Sequence, residues 1–423
     1  MESIMSFKDL SGKTGINELM KDLGGALQDE NTNIKYMFGG GNPAHIPEIE
    51  ETIYEIMNEL LTNKAEFFKL IGDYDTPQGY LPFLKTLASF FNETITNKTQ
   101  YAFTEKNVAT TCGSQNAMFI LQNLFTAEGK KILLPLVPEY IGYMDQIVSK
   151  DKLEGVLGII DLDETDRTFK YRIDFEEVEK KLATSEFSCM IISRPTNPTG
   201  NVITDNELTK LVEFAKKYDT YLILDNAYGY PWPNAINVEN EIFYDDNVIL
   251  SFSLSKIGMP MGRVGVILAN KRIIEKIKNV NAIISLSTPN IAQYIFNEIL
   301  KKDGHNYIKE LTNSIKSFYL HKAELANEVL TKSLDKSFKW FLHRHEGSFF
   351  FWLYLPGIKK SSDELYEILK ENSVLVVPSK YYYTKDLVHK DEAHKSIRIN
   401  FARSEEEITE GMKKLAEVIN SLH

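Results

Sequence analysis

A single lysine, Lys256, stands between two apolar runs in "SFSLSKIGMPMGRVGVILAN" (251–270). Burial disfavours a charged amine, so a lysine there suits a nucleophile or Schiff-base former; snorkelling to solvent is the ordinary alternative. Ser253, Ser255 and Arg263 flank it, a set able to grip an anion, with Arg263 as a forked donor. A second anion-binding feature precedes them. "NVATT" runs into "CGSQNA", where a glycine turn and then Ser114 and Gln115 open a helix. Free N–H groups at such a helix start suit a phosphate, although a plain helix cap has the same look. Asp225 ends the apolar run "YLIL", with Tyr228 three positions on. A carboxylate at the end of a buried strand needs a partner, either a ligand or a structural one. Asn197 lies in "SRPTNPTGN", where two prolines and a glycine make a rigid loop. Arg398, in "SIRINFA", suits a carboxylate ligand bound bidentately or a common ion pair. The eight histidines include "HRH" (343–345) but no metal-ligand spacing, and read as surface residues.

These residues need elements to hold them. "NVATT" (107–111), "KKILLPL" (130–136), "CMIIS" (189–193), "YLIL" (221–224), "NVILSF" (247–252) and "VGVILAN" (264–270) read as strands. They are too apolar to alternate, as expected of parallel strands covered on both faces. Helical stretches fall between several of them. One starts at Ser114 or Gln115, and another carries the capping box Thr204 to Glu207. Alternation of this kind indicates an open α/β sheet, whose ligands sit beyond the C-terminal strand ends. The C-terminal part differs. Residues 306–334 read as one long helix bridging two lobes. "SFFFWLYL" (348–355), "SVLVVP" (373–378) and "SIRINFA" (396–402) follow, and a last helix opens with a capping box from Ser404 to Glu407. This is a smaller α+β lobe, and the cleft between the lobes is the expected site.

Composition narrows the function classes. The 423 residues, 43% of them apolar, are ordinary for a soluble globular protein with a large core. A net charge of −11 argues against general nucleic-acid binding. The N-terminal stretch has no basic segment followed by an apolar one, and no apolar run is long enough to span a membrane. Cys112 and Cys189 read as two buried thiols. The expectation is a cytoplasmic protein acting on small molecules.

The motifs occur in a recognisable order. "GDYDTPQGYLPF", "SRPTNPTGNVITDNEL", "DNAYGYPWP", "SLSKIGMPMGRVG" and "IRINFA" resemble the segments of class I/II aminotransferases of fold type I, from "FGGGNPAHIPE" to the last helix. The resemblance implies pyridoxal 5′-phosphate (PLP) as cofactor. It implies a mostly parallel, seven-stranded sheet between helices plus a smaller α+β domain. The expected division is an N-terminal arm and part of the small domain over 1–50, a PLP-binding domain over 51–305 and a C-terminal small domain over 306–423. Carried over, Lys256 would hold the cofactor covalently and Asp225 would pair with its ring nitrogen. Tyr228 and Asn197 would reach its ring oxygen, and Tyr140 of "PEYIGY" would stack on the ring. Ser114, Gln115, Ser253, Ser255 and Arg263 would hold the phosphate, with Tyr74 reaching the site of a neighbouring subunit in a homodimer. Arg398 would bind the substrate carboxylate, with Asn197, Gly40 and Gly41 near it.

"GGGNPAHIPE", "YDTPQG" and "PEYIGY" are most similar to the branch of the family that moves the amino group between valine or alanine and the corresponding 2-oxo acids, pyruvate among them. A PLP-dependent carbon–sulfur β-lyase, or an aminotransferase with an aromatic or broad donor range, is the alternative. A regulatory module that senses PLP or an amino acid fits poorly, because the family segments begin at residue 38. One departure is the Lys256-to-Arg263 spacing of seven, one shorter than in many members, so the phosphate role of Arg263 depends on how that loop closes. Tyr143, Phe349 and Phe351 are candidates for the substrate pocket or the core alike.

Overall fold

The computed structural model describes residues 14–19, 21, 33–95 and 101–423. Half of the expected N-terminal segment 1–50, including residues 1–13, lies outside the described residues. Fifteen strands occur among the described residues. They are β1 (Tyr36–Met37), β2 (Val108–Thr111), β3 (Lys131–Val137), β4 (Leu153–Leu157), β5 (Ile159–Asp163), β6 (Thr168–Arg172), β7 (Phe187–Ser193) and β8 (Tyr221–Asp225). The rest are β9 (Val248–Ser253), β10 (Gly265–Leu268), β11 (Phe341–His343), β12 (Phe350–Tyr354), β13 (Val374–Leu375), β14 (Val377–Pro378) and β15 (Ser396–Asn400).

A seven-stranded sheet runs in the order β2-β10-β9-β8-β7-β3-β4. Its strands are apolar on both faces because helices pack on it, among them Ser114–Thr126, Asp205–Lys217 and Lys271–Ile284. The second of these has the expected capping box, with Thr204 Oγ1 and the Glu207 carboxylate satisfying each other's backbone N–H. Strand β4 was not among the strands read from the sequence. One of the expected parallel strands is reversed: β10 runs antiparallel to both β9 and β2. An apolar run carries no mark of direction, so the reversal was not legible. It matters for the site. Six strands end at one edge of the sheet, and the reversal brings the start of β10 to that same edge, with Gly265 opposite Ser253 and Thr111.

A six-stranded sheet, β14-β15-β12-β11-β6-β5, lies in the other part of the molecule. Its β5–β6 hairpin comes from the middle of the chain and pairs onto β11. The expected long helix is Asn306–Ser333, and it packs against the last helix, Glu405–Asn420. The capping box expected at that last helix is half formed. Ser404 Oγ accepts from Glu407 N–H, but the Glu407 carboxylate turns to the backbone N–H of Met37 at 3.1 Å. A longer-range donor displaced the local one and ties β1 to the C-terminal helix. Two further expectations are corrected. His343 is buried rather than on the surface, its Nε2 3.1 Å from Asn201 Oδ1, and His345 is half-buried against Phe351 and Phe401. Cys189 is buried as expected, but Cys112 is only half-buried.

Candidate active site

A cavity of about 530 Å³ opens at the sheet edge where β2, β3, β7, β8 and β9 end. This is the size and position expected of a small-molecule site in an open α/β sheet. Ser114, Gln115, Tyr140, Asn197, Asp225, Tyr228, Ser253, Ser255, Lys256, Arg263, Arg398 and Gly41 all line it. Segments more than 350 residues apart in sequence, those of Gly41 and Arg398, therefore meet in one place.

One end of the cavity is an anion cradle. Helix Ser114–Thr126 starts at Gly113, whose φ of 84° and ψ of 160° suit glycine almost alone. The guanidinium of Arg263 lies directly against this glycine: a Cβ there would sit 2.4 Å from Arg263 Nη2. Gly265 is needed for the same reason, since a Cβ on it would fall 2.6 Å from the backbone nitrogen of Ser114. Ser114 Oγ donates to the carbonyl of Phe252 at 2.9 Å, and Ser253 Oγ accepts from the N–H of Ser255 at 3.1 Å. The short 256–263 loop closes by pinning its base. Leu254 N–H donates to Val264 O and Met259 N–H to Leu254 O, and Arg263 takes a left-handed conformation at φ 49°. Arg263 reaches Gly113 at the start of the Ser114–Thr126 helix with this shorter spacing.

Asp225 lies deeper. Its Oδ2 accepts from the Tyr143 hydroxyl at 2.7 Å and its Oδ1 from the Ala227 N–H at 3.0 Å. Burial raises its pKa, against the pull of those two donors and of Lys256. Tyr143 is thus a fully buried holder of Asp225. The four-residue spacing from Glu139 through "EYIGY" was the only sequence signal for it. Tyr140 meets Tyr143 edge to face at 5.4 Å, and its hydroxyl donates to Gln115 Oε1 at 2.9 Å.

Glu139 was missed by sequence reasoning. It is completely buried and accepts from Ser193 N–H (2.7 Å), Ser193 Oγ (2.7 Å) and Tyr140 N–H (2.7 Å). It couples the turn carrying Tyr140 to the strand end that leads to Asn197. Burial pushes its carboxyl up to about 8, opposed by those hydrogen bonds.

Lys256 follows β9 in a turn. Its Nζ donates to the carbonyl of Gly41 at 2.7 Å and lies over the rings of Tyr228 and Phe349. Burial, then the positive charges of Arg398 and Arg263, lower its pKa to about 8, with Asp225 opposing. Arg398, on β15, donates from Nη1 to Asn197 Oδ1 at 2.9 Å and from Nη2 to Gly39 O at 2.7 Å. Gly40 O is a weaker partner of Arg398 at 3.4 Å and accepts from Asn400 Nδ2 at 2.7 Å. Gly39 and Gly40 thus face Arg398, whereas Gly41 faces Lys256; Gly39 was not foreseen. Tyr74 stands apart. It is 84% exposed and does not line the cavity of its own chain. Phe349 is core, stacked on Tyr319 and edge to face with Tyr228, and Phe351 packs on Phe401.

The residues present fit a phosphorylated pyridine aldehyde. A glycine cradle closed by a guanidinium suits its phosphate, a buried carboxylate with fixed donors suits its ring nitrogen, and an amine of lowered pKa suits its carbonyl carbon. Among the described residues no helix is long and apolar enough to cross a membrane, and no group of metal-ligating side chains is present.

Comparisons with known proteins give the family. The model for aminotransferase class I and II matches residues 42–415. The valine–pyruvate aminotransferase of Escherichia coli K12 is 36% identical over 96% of this chain and 95% of its own. A solved structure of a Psychrobacter arcticum protein assigned to the amino-acid aminotransferases superposes with a TM-score of 0.91, at 39% identity over 100% of this chain and 99% of that one. The valine–pyruvate aminotransferase of Salmonella typhimurium superposes at 0.82, with 36% identity over 96% and 99%. A lysine among anion-binding groups, a buried aspartate and a carboxylate-type arginine at one sheet edge, with these likenesses along nearly the whole chain, make this protein a PLP-dependent member of the class I and II aminotransferases.

Proposed function

We propose that the enzyme moves the amino group between an aliphatic amino acid, valine or alanine, and a 2-oxo acid, pyruvate or 3-methyl-2-oxobutanoate, in two alternating half-reactions. One observation carries the substrate class. Among the described residues, the cations lining the cavity are Lys256, Arg263 and Arg398, and with the first two committed to the cofactor Arg398 is the one left for a substrate carboxylate. The remaining wall includes Ile16, Leu19, Met118 and Ile141, which suit a small branched side chain and offer nothing to a second carboxylate. The two valine–pyruvate aminotransferase relatives support the same choice.

The bound cofactor supplies an electron sink for the charge left when the substrate Cα loses its proton. This chain's residues do the rest. Arg398 and Asn197 bind the carboxylate and fix the Cα–H bond in the direction that reacts. Lys256 Nζ, its pKa lowered to about 8 so that a share of it is neutral near neutral pH, accepts that proton and returns it. Asp225, held by Tyr143 and Ala227, keeps a proton on the cofactor's ring nitrogen. Asn197 Nδ2 and the Tyr228 hydroxyl reach the ring oxygen, and Tyr140 covers the ring face. Ser114, Gln115, Ser253, Ser255 and Arg263 hold the phosphate.

The enzyme acts as a homodimer in the cytoplasm. Tyr74, Met261 and Ile283, at 84%, 85% and 85% exposure, are apolar surface that a second subunit would cover, and Tyr74 then reaches the partner's phosphate site. A panel of amino donors with pyruvate as acceptor tests the substrate assignment. Valine and alanine rank first if it is right. Fast turnover of phenylalanine or tyrosine beside negligible valine turnover would overturn it, as would release of pyruvate from cystathionine without an acceptor.

A further inference from the structure

Among the described residues, several buried side-chain polar atoms lack a hydrogen-bond partner, and only two of them belong to residues that line the cavity. They are the hydroxyl of Tyr382 and Nε of Arg398. A buried donor left unpaired is costly, so a pair of them at one wall of a ligand cavity marks where a ligand's acceptors belong.

Tyr382 ends the short turn Ser379–Tyr382 after β14 and is completely buried. Its ring is fixed edge-on to Trp352, with centroids 5.6 Å apart, and its carbonyl accepts from the N–H of Glu139 at 2.9 Å. The Arg398 guanidinium lies 5.7 Å from the ring centroid. The two groups are close enough for Arg398 to hold down the rise that burial gives the phenol, yet no hydrogen bond of ordinary geometry joins them. The phenol stays at about 12, so it is a donor at any working pH. Meanwhile Nη1 and Nη2 of Arg398 are already engaged by Asn197 and Gly39. What Arg398 has in reserve is its unpartnered Nε–H.

We propose that Tyr382 is a substrate-binding residue, its hydroxyl donating to one oxygen of the substrate carboxylate while Arg398 holds the group. The inference rests on the reading of Arg398 as the carboxylate site. Arg398 alone is held away from full engagement by Asn197 and the Gly39 carbonyl, so the second donor matters for affinity more than for chemistry. Both substrates of the exchange carry the same carboxylate, so both feel its loss.

The test uses the PLP-loaded enzyme and Tyr382→Phe, which keeps the ring and removes one oxygen. Two unreactive carboxylates, 3-methylbutanoate and 3-phenylpropanoate, are titrated by the absorbance of the bound cofactor, and PLP affinity and the unfolding temperature are measured alongside. The expected result is a Kd about tenfold or more weaker for whichever carboxylate the wild type binds, as befits a lost hydrogen bond to a charged group. KM for amino and oxo acid rises in step, more than kcat falls, and PLP affinity is retained. Equal carboxylate affinity in variant and wild type would overturn the proposal. Preference of the wild type for 3-phenylpropanoate would overturn the aliphatic substrate assignment and leave the Tyr382 comparison readable. Binding of neither carboxylate by the wild type would overturn the Arg398 reading and this inference with it.

Discussion

Gly113→Ala is the sharpest perturbation of the phosphate cradle, because the added methyl would meet the Arg263 guanidinium. At φ 84° and ψ 160° a non-glycine residue costs about 1–3 kcal/mol of stability. Its Cβ would stand 2.4 Å from Arg263 Nη2 and 2.9 Å from Cζ, far inside contact distance, so the guanidinium must leave the cradle. A hydrogen bond between charged groups is worth about 1.5–3 kcal/mol, so PLP affinity is expected to fall roughly 10- to 100-fold. Equilibrium dialysis of PLP against wild type, Gly113→Ala, Arg263→Ala and the double variant measures this. The two single variants should lose similar affinity, and the double variant little more, because both remove one interaction. Wild-type PLP affinity in a folded Gly113→Ala protein would refute the placement of Arg263 on the phosphate. Additive losses would do the same.

Tyr143→Phe removes the hydroxyl donor from Asp225 and lets its pKa rise further; kcat is expected to fall about tenfold with PLP affinity nearly kept, and unchanged kcat would contradict the role given to Tyr143. For Lys256, the neutral amine grows with pH up to about 8 and levels above it, so the rate at which PLP-free enzyme takes up PLP should rise about tenfold per pH unit below that point and then flatten; stopped-flow mixing from pH 6 to 9 checks it, and a flat profile would count against the lowered pKa. Glu139, with a folded-state pKa of about 8 above its ordinary value, contributes stability that is complete at low pH and lost as pH rises through about 8; denaturation midpoints at pH 5, 6.5 and 8 should therefore decline less in Glu139→Gln than in wild type.

Much of the site was legible because its residues sit in local motifs. A glycine before a helix, a carboxylate closing an apolar run and a lone lysine after another each carry their signal within a few positions. What brings them together is long-range, and that part was not legible. The reversal of β10 decides whether Arg263 reaches the cradle, and its run "VGVIL" looks the same in either direction. The β5–β6 hairpin pairs with strands some 170 residues later, across the boundary drawn at 305. Glu139 acts through its neighbours and Tyr382 lies in no motif: an acid between a proline and a tyrosine, or one of three consecutive tyrosines, has no distinguishing context in the sequence. The Ser404 capping box shows the converse. Its local pattern was complete, and a backbone donor from the other end of the chain took the Glu407 carboxylate.

The active site around Lys256 takes an amino group from an aliphatic amino acid onto the cofactor it holds and passes it to a 2-oxo acid. A single-turnover experiment tests it most directly. PLP-loaded enzyme mixed with valine and no acceptor should form one equivalent of 3-methyl-2-oxobutanoate per active site and stop. Pyruvate added next should give one equivalent of alanine and restore the original spectrum, and Lys256→Ala should do neither. Ammonia in place of a stored amino group, or the same exchange in Lys256→Ala, would contradict the account.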